Sequence, residues 1–172
     1  MNTAGHVYLV DDDESMRTSL SRMLRELGYN VHDFASAKAF IEHSVPIAPA
    51  VILLDMQMPD MTGLDLQEEL LRMGRKTPII FVSGQSHPQQ IVKSLKKGAL
   101  DFLFKPFNLE DLLHSVADGI DFDSRQLKRV SKDVEVKRYF STLTPREKEV
   151  CHLLVQGLLN KDLSLKHISE PT

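Results

Sequence analysis

Five short apolar runs, each followed by a longer amphipathic stretch, constrain the fold of this chain more than any other feature. The runs lie at 7–10, 31–34, 51–54, 79–82 and 102–104. Several of them are too continuously apolar to have a solvent-exposed face, as expected of strands inside a parallel sheet covered on both sides. The alternation therefore predicts an α/β fold, a doubly wound five-stranded parallel sheet with right-handed crossovers.

The stretches between the runs have the apolar spacing of helices. They lie at 15–27, 35–44, 64–73, 88–97 and 109–120. Gly28, Gly74 and Gly98 follow three of them directly. Glycine just past the last turn is a common helix stop, so these positions predict where the helices end.

Polar side chains stand at the end of four of the five predicted strands. The first strand is followed by Asp11, Asp12 and Asp13, the third by Asp55, the fourth by Ser83, and the fifth by Lys105 and Pro106. In open α/β sheets, ligands bind beyond the carboxyl ends of the strands. We therefore expect these side chains to converge at one edge of the sheet.

The chemistry of these residue types predicts a site for phosphoryl transfer. Carboxylates from two strand ends repel each other unless a hard cation lies between them, and oxygen ligands are what Mg²⁺ prefers. A lysine and a hydroxyl at the same edge add hydrogen-bond donors, as phosphoryl transfer requires. Asp55 is predicted to be the nucleophile and to form an acyl phosphate.

Four motifs in this order resemble those of the receiver domains of two-component response regulators. They are Val10-Asp11-Asp12, Leu54-Asp55-Met56-Gln57-Met58-Pro59 with Gly63, Val82-Ser83-Gly84, and Phe104-Lys105-Pro106-Phe107. The resemblance covers residues 7 to about 120 and implies a flavodoxin-like (βα)5 fold. It also implies a sensor histidine kinase as the partner that supplies the phosphoryl group.

The resemblance implies a role for each residue of the site. Asp12, Asp55 and the backbone carbonyl of Gln57 are expected to coordinate Mg²⁺ directly, with Asp11 acting largely through water. Lys105 is expected to pair with the phosphoryl oxygens.

Three further residues have roles in the switch or the architecture of the family. The resemblance implies that Ser83 bonds a phosphoryl oxygen after transfer and that Phe102 turns inward in the active state. It also implies a cis peptide bond before Pro106. In this family, the face formed by the fourth helix, fifth strand and fifth helix often serves phosphorylation-dependent dimerisation, and we expect a homodimer of that kind.

The chain changes character after Ile120. Residues 121–141 are rich in charge and are interpreted as a linker, partly helical. Thr144, Pro145 and Glu147 then form a capping-box pattern that starts a new helix, predicted to end at Gly157, with a second short helix beginning near Asn160.

The motif from Leu143 to Val150, with Gly157 to Lys161, resembles the opening of the LuxR and FixJ type of helix-turn-helix domain. This assigns 142–172 to an all-α DNA-binding unit that stops where the recognition helix would begin. Residues 163–172 depart from the family pattern and resemble a translated transposon-adapter sequence of the kind used in sequencing libraries, so they are suspected to be artefactual. DNA is an expected partner of the full-length protein and not of this truncated chain.

Two other functions are compatible with parts of the sequence. A stand-alone receiver would act through protein contacts or as a phosphate sink, without binding DNA. A haloacid dehalogenase-like phosphatase also uses an aspartate nucleophile and Mg²⁺, but it requires a second acid two residues later, where this chain has Gln57. The interpretation that the motifs favour is a phospho-accepting signalling protein, not an enzyme acting on other substrates.

Composition excludes several other classes of protein. No apolar run approaches the roughly 18 residues needed to span a bilayer, and no secretory signal is visible at the start, so a cytoplasmic protein without membrane contact is expected. The seven histidines are scattered without a pair at metal-ligand spacing. Each is interpreted as solvent-facing or packed.

Overall fold

A computed structural model describes residues 4–43 and 46–167 of the chain, with side chains from 5 to 157 within those ranges. The strands are β1 (Ala4–Val10), β2 (Tyr29–Phe34), β3 (Ala50–Asp55), β4 (Ile79–Ser83) and β5 (Asp101–Phe104). The helices are α1 (Glu14–Glu26), α2 (Ala37–Glu42), α3 (Gly63–Arg72), α4 (Pro88–Lys96), α5 (Leu109–Thr142) and α6 (Pro145–His167). The predicted α/β architecture is confirmed, with a strand at each of the five apolar runs.

The five strands form one parallel sheet in the order β2-β1-β3-β4-β5. The central strand β3 is buried along its whole length. Because successive side chains of a strand point to opposite faces, β3 contributes to the core on both sides of the sheet. This explains why its sequence is continuously apolar instead of alternating.

Two apolar clusters flank the sheet. On one face, Ile52 and Leu54 pack with side chains from α2 and α3, including Phe40 and Leu66. On the other face the cluster joins the following residues of the sheet, α1 and α5: Val7, Leu9, Leu20, Leu24, Val51, Leu53, Ile80, Leu112 and Val116. Each fully buried aliphatic or aromatic side chain contributes roughly 1.5–3 kcal/mol, so the two clusters hold the strand ends in fixed positions.

Local signals explain where the helices begin and end. Asp13 caps α1, its side chain accepting a hydrogen bond from the backbone N–H of Met16 at 3.0 Å. Gly28 and Gly74, which follow α1 and α3, have φ values of +92° and +71°. Glycine adopts this left-handed region without a steric cost, so both stop signals act as predicted. The predicted end of the second helix, at Ser44, lies outside the described residues.

Two compact units are distinguished, the first ending at Lys128 and the second beginning at Arg129. The boundary falls within α5, which extends beyond the predicted end at Ile120 to Thr142. This is a correction to the predicted helix, and its physical reason is that 121–142 contains neither glycine nor proline to interrupt the helix.

The start of α6 follows its sequence signal, but its end does not. Thr144 and Glu147 exchange the capping-box hydrogen bonds, with 2.7 Å between the Thr144 N–H and the Glu147 carboxylate. The predicted break at Gly157 is wrong, because α6 continues as one helix to His167. A glycine inside a helix costs only about 1 kcal/mol relative to alanine, and the residues around it favour helix. Of the suspected segment 163–172, residues 163–167 belong to α6 and 168–172 lie outside the described residues; described side chains end at residue 157.

None of the helices in the described part of the chain combines the length and the apolar character that crossing a bilayer requires.

Candidate functional site

Three carboxylates meet at the carboxyl edge of the sheet. Asp11 and Asp12 follow β1, and Asp55 is the last residue of the neighbouring strand β3. One carboxylate oxygen from each residue lies within 4.8 Å of the others. Asp11 and Asp55 are buried, whereas Asp12 is exposed. The acids expected to converge are therefore close together, with one side of the cluster open to solvent.

Lys105 lies against the buried side of this cluster. Its Nζ is 2.9 Å from Asp11 Oδ2 and 3.4 Å from Asp55 Oδ1. The Lys105 backbone N–H donates to the carbonyl of Ser83 at 2.8 Å, so the pairing of β5 with β4 sets the position of the lysine. The peptide bond between Lys105 and Pro106 is cis.

The electrostatics of the pocket follow from burial and from the charges it holds. Burial raises the pKa of Asp55 to about 6, with Asp11 and Asp12 adding to the rise and Lys105 opposing it. Burial by itself lowers the pKa of Lys105, but its bond to Asp11 and the charge of Asp55 outweigh this, and the pKa is raised. Three acids beside one ammonium leave an excess of negative charge, which favours a bound cation.

The loop that carries the first two acids is held by its own backbone and by a neighbouring arginine. Asp11 Oδ1 accepts a hydrogen bond from the backbone N–H of Asp13 at 2.9 Å, and the Asp11 carbonyl accepts one from Arg17 Nη1 at 2.9 Å. Arg17 was not singled out from the sequence. Its position one turn into α1, directly after an acidic loop, is the signal that could have identified it.

Gly63 makes room for the backbone at Asp55. A Cβ at position 63 would lie 2.5 Å from the Asp55 carbonyl oxygen and 3.0 Å from the Cα of Met56. The Gly63 N–H also donates to the Met56 carbonyl at 2.9 Å. Only a residue without a side chain allows the start of α3 to approach the end of β3 this closely.

The carbonyl of Gln85 links two of the predicted residues. It accepts a hydrogen bond from Ser83 Oγ at 2.9 Å and another from Gln57 Nε2 at 3.0 Å. Ser83 Oγ also accepts from Ser86 Oγ at 2.9 Å. An open cleft of about 360 Å³ lies beside this network, lined by Gln57, Gly84, Gln85, Ser86, His87 and Phe104. The hydroxyl of Ser83 is therefore engaged by its own loop in this structure.

Phe102 lies on β5, three residues before Lys105. Its side chain is half-buried and packs against the cluster on the α2 and α3 side of the sheet. The ring lies 6.0 Å from that of Phe81 and 5.1 Å from that of Phe104, between centroids. Phe104 is exposed, so an aromatic row leads from the core to the surface at β5.

The donor set of the pocket fits a hard divalent cation. The three clustered carboxylates supply the oxygen ligands that Mg²⁺ prefers. The pocket also keeps one exposed side, as an ion that retains several waters requires.

A second cluster of polar side chains was not predicted. His6 on β1 and His32 on β2 approach to 3.1 Å between His6 Nδ1 and His32 Nε2. The two histidines are far apart in the sequence and both are packed, as expected, but their proximity was not foreseen. The contact depends on the register of two strands 26 residues apart, which sequence spacing does not reveal.

The fold and the acidic pocket together are those of a receiver domain. Residues 7–117 match the family described as the response regulator receiver domain. The response regulator protein TmoT of Ectopseudomonas mendocina is 38% identical over 167 residues, a match that covers 96% of this chain and 76% of TmoT. The transcriptional regulatory protein FixJ of Azorhizobium caulinodans is 33% identical over 158 residues, covering 92% and 75%.

Solved structures agree with this result. The response regulator StyR superposes with a TM-score of 0.80 at 34% identity, covering 96% of this chain and 84% of the StyR chain. FixJ-N superposes with a TM-score of 0.63 at 32% identity, covering 67% and 93%. The chain belongs to the response regulators of two-component systems, and its first unit contains their receiver domain.

Proposed function

We propose that this protein accepts a phosphoryl group on Asp55 from a sensor histidine kinase, in a reaction that depends on Mg²⁺. The observation that carries the proposal is the clustering of the Asp11, Asp12 and Asp55 carboxylates, two of which, Asp11 and Asp55, contact the ammonium of Lys105. The acceptor is a carboxylate, and at pH 7 Asp55 is mostly ionised because its pKa is about 6.

The transfer exchanges one bond to phosphorus for another. A carboxylate oxygen of Asp55 attacks the phosphorus, the bond from phosphorus to the imidazole nitrogen of the kinase breaks, and the imidazole takes up a proton. Lys105 is already within hydrogen-bonding reach of the Asp55 carboxylate and offers its charge to the new phosphoryl oxygens. Such positioning and neutralisation of charge account for most of the catalysis in phosphoryl transfer.

The residues that would hold the metal are Asp12, Asp55 and the backbone carbonyl of Gln57, with Asp11 acting largely through water. Bound Mg²⁺ supplies neutralisation of the negative charge shared by the carboxylates and the incoming phosphoryl group. The exposed position of Asp12 leaves the metal side of the pocket accessible to the phosphoryl donor.

The switch that we propose is a change of hydrogen-bond partner by Ser83. Its hydroxyl now donates to the carbonyl of Gln85, and a phosphoryl oxygen on Asp55 offers a more strongly charged acceptor. Movement of the loop after β4 toward the phosphoryl group would leave space for Phe102 to turn inward. The surface formed by α4, β5 and α5 would be remodelled as a result.

The direct test of phosphorylation uses acetyl phosphate and Mg²⁺ followed by intact mass measurement. The parent chain is expected to gain about 80 Da, the mass of one phosphoryl group, and Asp55→Asn is expected to gain nothing. Asp60→Asn is the matched control. Asp60 is a second aspartate in the loop after β3, where it accepts a hydrogen bond from the Lys38 N–H at 3.1 Å. Equal labelling of the Asp55 variant would contradict the proposal.

We further propose that the phosphorylated protein dimerises through the surface of α4, β5 and α5. The exposed large apolar side chains of this surface include Val92 and Leu95 of α4 and Phe104 of β5. In sedimentation velocity at micromolar concentration, beryllofluoride with Mg²⁺ is expected to shift the parent from monomer to dimer and to leave Val92→Glu monomeric. Leu71→Glu, which alters an exposed leucine of α3, is the control. An unchanged parent monomer would count against the dimer.

The output that we propose for the full-length protein is control of transcription from the cytoplasm. We divide the chain into a receiver at 1–120, a helical linker at 121–141 and the opening of a DNA-binding unit at 142–172. The similarity of this chain to the transcriptional regulatory protein FixJ supports this. Specific DNA binding is not expected of this chain, and a nanomolar shift of a promoter fragment at physiological salt would overturn that expectation.

One observation favours a second function, a receiver that acts through protein contacts alone. The continuous helix α6 has no turn at Gly157, where a helix-turn-helix would need one. Its apolar side chains Val150, Leu153 and Leu154 are also exposed. The gene sequence downstream separates the two functions, since a reading frame that continues with a recognition helix supports the regulator.

A further inference from the structure

Three histidines converge beside the edge strand β2, at a site that none of the roles above uses. His6 lies on β1, His32 on β2, and His43 directly after α2. Besides the 3.1 Å contact between the His6 and His32 nitrogens, the ring of His43 lies 6.2 Å from that of His32 between centroids. Three separate elements thus bring imidazoles to one place.

The register of the sheet puts the first two histidines on the same face. Tyr8 pairs with His32 across the two parallel strands, and His6 lies two residues before Tyr8. The ring of Tyr8 is fully buried and stacks on that of His32, with 4.6 Å between centroids and 12° between planes. One face of the His32 ring therefore packs on the hydrophobic core through Tyr8.

The third histidine is fixed through its backbone. The His43 carbonyl accepts a hydrogen bond from Arg75 Nη2 at 3.5 Å, and the His43 ring lies 5.1 Å from that of Phe34. Its side chain is exposed, and those of His6 and His32 are half-buried. The facing nitrogens of His6 and His32 are thus held close together, and the ring of His43 beside them is accessible to a solute.

The two closest nitrogens have the separation of two ligands on one metal ion. Imidazole nitrogens bind Zn²⁺ at about 2.0–2.1 Å, and at a tetrahedral angle two such ligands lie about 3.3 Å apart. The observed 3.1 Å between His6 and His32 is close to this value. Rotation of an exposed side chain is fast, so the His43 ring can turn to become a third ligand.

The surroundings of His32 affect its ionisation. Burial lowers the pKa of His32, as do the neighbouring His6, His43 and Arg25, whereas Asp33 raises it. A neutral imidazole is the form that binds metal, and the lowered pKa of His32 favours that form. The hydrogen between His6 Nδ1 and His32 Nε2 would move to the other nitrogen of its ring when both nitrogens bind the ion.

We propose that His6, His32 and His43 form a binding site for one late first-row metal dication, with Zn²⁺ as the probe that we would use. A set of imidazole ligands suits Zn²⁺, Ni²⁺ and Cu²⁺, whereas Mg²⁺ prefers oxygen ligands. The site is therefore chemically distinct from the carboxylate pocket formed by Asp11, Asp12 and Asp55. A bound ion would join the edge strand β2 to β1 and to the end of α2.

The first experiment is calorimetric titration of the tag-free full chain with Zn²⁺ in the presence of excess Mg²⁺, which occupies the carboxylate pocket. We expect one Zn²⁺ per chain. His6→Gln, His32→Phe and His43→Gln are each expected to weaken binding by about tenfold or more, the scale on which even supporting residues affect metal affinity. His32→Phe retains a flat ring against Tyr8, and far-UV circular dichroism checks that each variant is folded.

His114→Gln is the matched control. His114 is an exposed histidine of α5 that faces Asp118 at 3.3 Å, so its loss should leave the affinity unchanged. Absence of binding by the parent would overturn the proposal. Equal weakening by all four substitutions, or by none, would also overturn it, because uptake would then be spread over surface histidines.

A second measurement is independent of calorimetry. A ligand that binds only the folded state raises the unfolding temperature, so Zn²⁺ should raise that of the parent and of His114→Gln equally, and raise that of His32→Phe by less. An equal rise in His32→Phe would place the ion elsewhere and contradict the proposal.

Discussion

The carboxylate pocket and the histidine cluster are both built on the same sheet, but they are positioned in different ways. The pocket lies at the carboxyl ends of the strands. Asp55 is the last residue of β3, and Asp12 and Lys105 follow β1 and β5. The cluster lies on a sheet face, where the pairing of β1 with β2 brings His6 and His32 together. The pocket concentrates charged carboxylates and an ammonium, whereas the cluster concentrates imidazole nitrogens.

This difference in position explains why the sequence predicts the first site and not the second. A strand end is visible as an apolar run followed by a polar residue, and the ends of parallel strands must share one edge of the sheet. The pocket residues could therefore be named in advance. Contacts across a sheet face depend on register, which is fixed by packing between residues far apart in sequence, and the histidine pair was missed for that reason.

The same distinction explains the errors in the second unit. The capping box at Thr144 is a local signal, and the start of α6 agrees with it. A turn at Gly157 would need tertiary contacts to stabilise it, and a sequence pattern does not show whether such contacts exist. The glycine alone is not a strong enough local signal to end the helix. The lengthening of α5 has the same cause, because charge composition alone does not separate a linker from an exposed helix.

The largest effect that distinguishes the two regions is expected from Lys105→Met. The substitution removes the ammonium that lies between Asp11 and Asp55, and phosphorylation by acetyl phosphate should slow roughly 100-fold, the scale found when one donor to a developing charge is lost. The measurement is the rate of phosphoryl uptake by intact mass. Lys96→Met, on the exposed face of α4, is the control, and a Lys105 variant as fast as this control would refute the role given to the ammonium.

Gly63→Ala should disturb the pocket through the backbone. The new Cβ would lie 2.5 Å from the Asp55 carbonyl oxygen, so the start of α3 must shift, and we expect the free energy of unfolding to fall by about 1–3 kcal/mol. Urea unfolding followed by circular dichroism measures this. Gly84→Ala is the control, since a Cβ at position 84 meets nothing within 4 Å. Equal stability of the two variants would show that the close approach at Gly63 is unimportant.

Asp55→Asn should stabilise the metal-free protein at neutral pH. The pKa of Asp55 is raised from 3.8 to about 6 in the folded state, so its favourable contribution is complete below pH 3.8 and is lost as the pH rises through about 6. Removing the charge should therefore add about 1–2 kcal/mol to the free energy of unfolding at pH 7 and nothing near pH 3.5. Urea unfolding in EDTA at the two pH values tests this, and a gain that is independent of pH would contradict the electrostatic explanation.

The smallest effect is expected from His32→Phe in the absence of added metal. The ring keeps its stacking on Tyr8 while the bond to His6 is lost, so we expect a change of about 1 kcal/mol or less in the free energy of unfolding. Phosphorylation of Asp55 should be unchanged, because the cluster shares no residue with the pocket. A slower rate of phosphorylation would show that the two regions are coupled.

The most direct test of the central claim is chemical identification of the phosphorylated residue. An acyl phosphate is reduced by borohydride, which would convert a phosphorylated aspartate to homoserine. After treatment with acetyl phosphate and Mg²⁺, peptide mapping is predicted to find homoserine at position 55 and aspartate at positions 11 and 12. Homoserine at either of those positions, with aspartate retained at 55, would contradict the account.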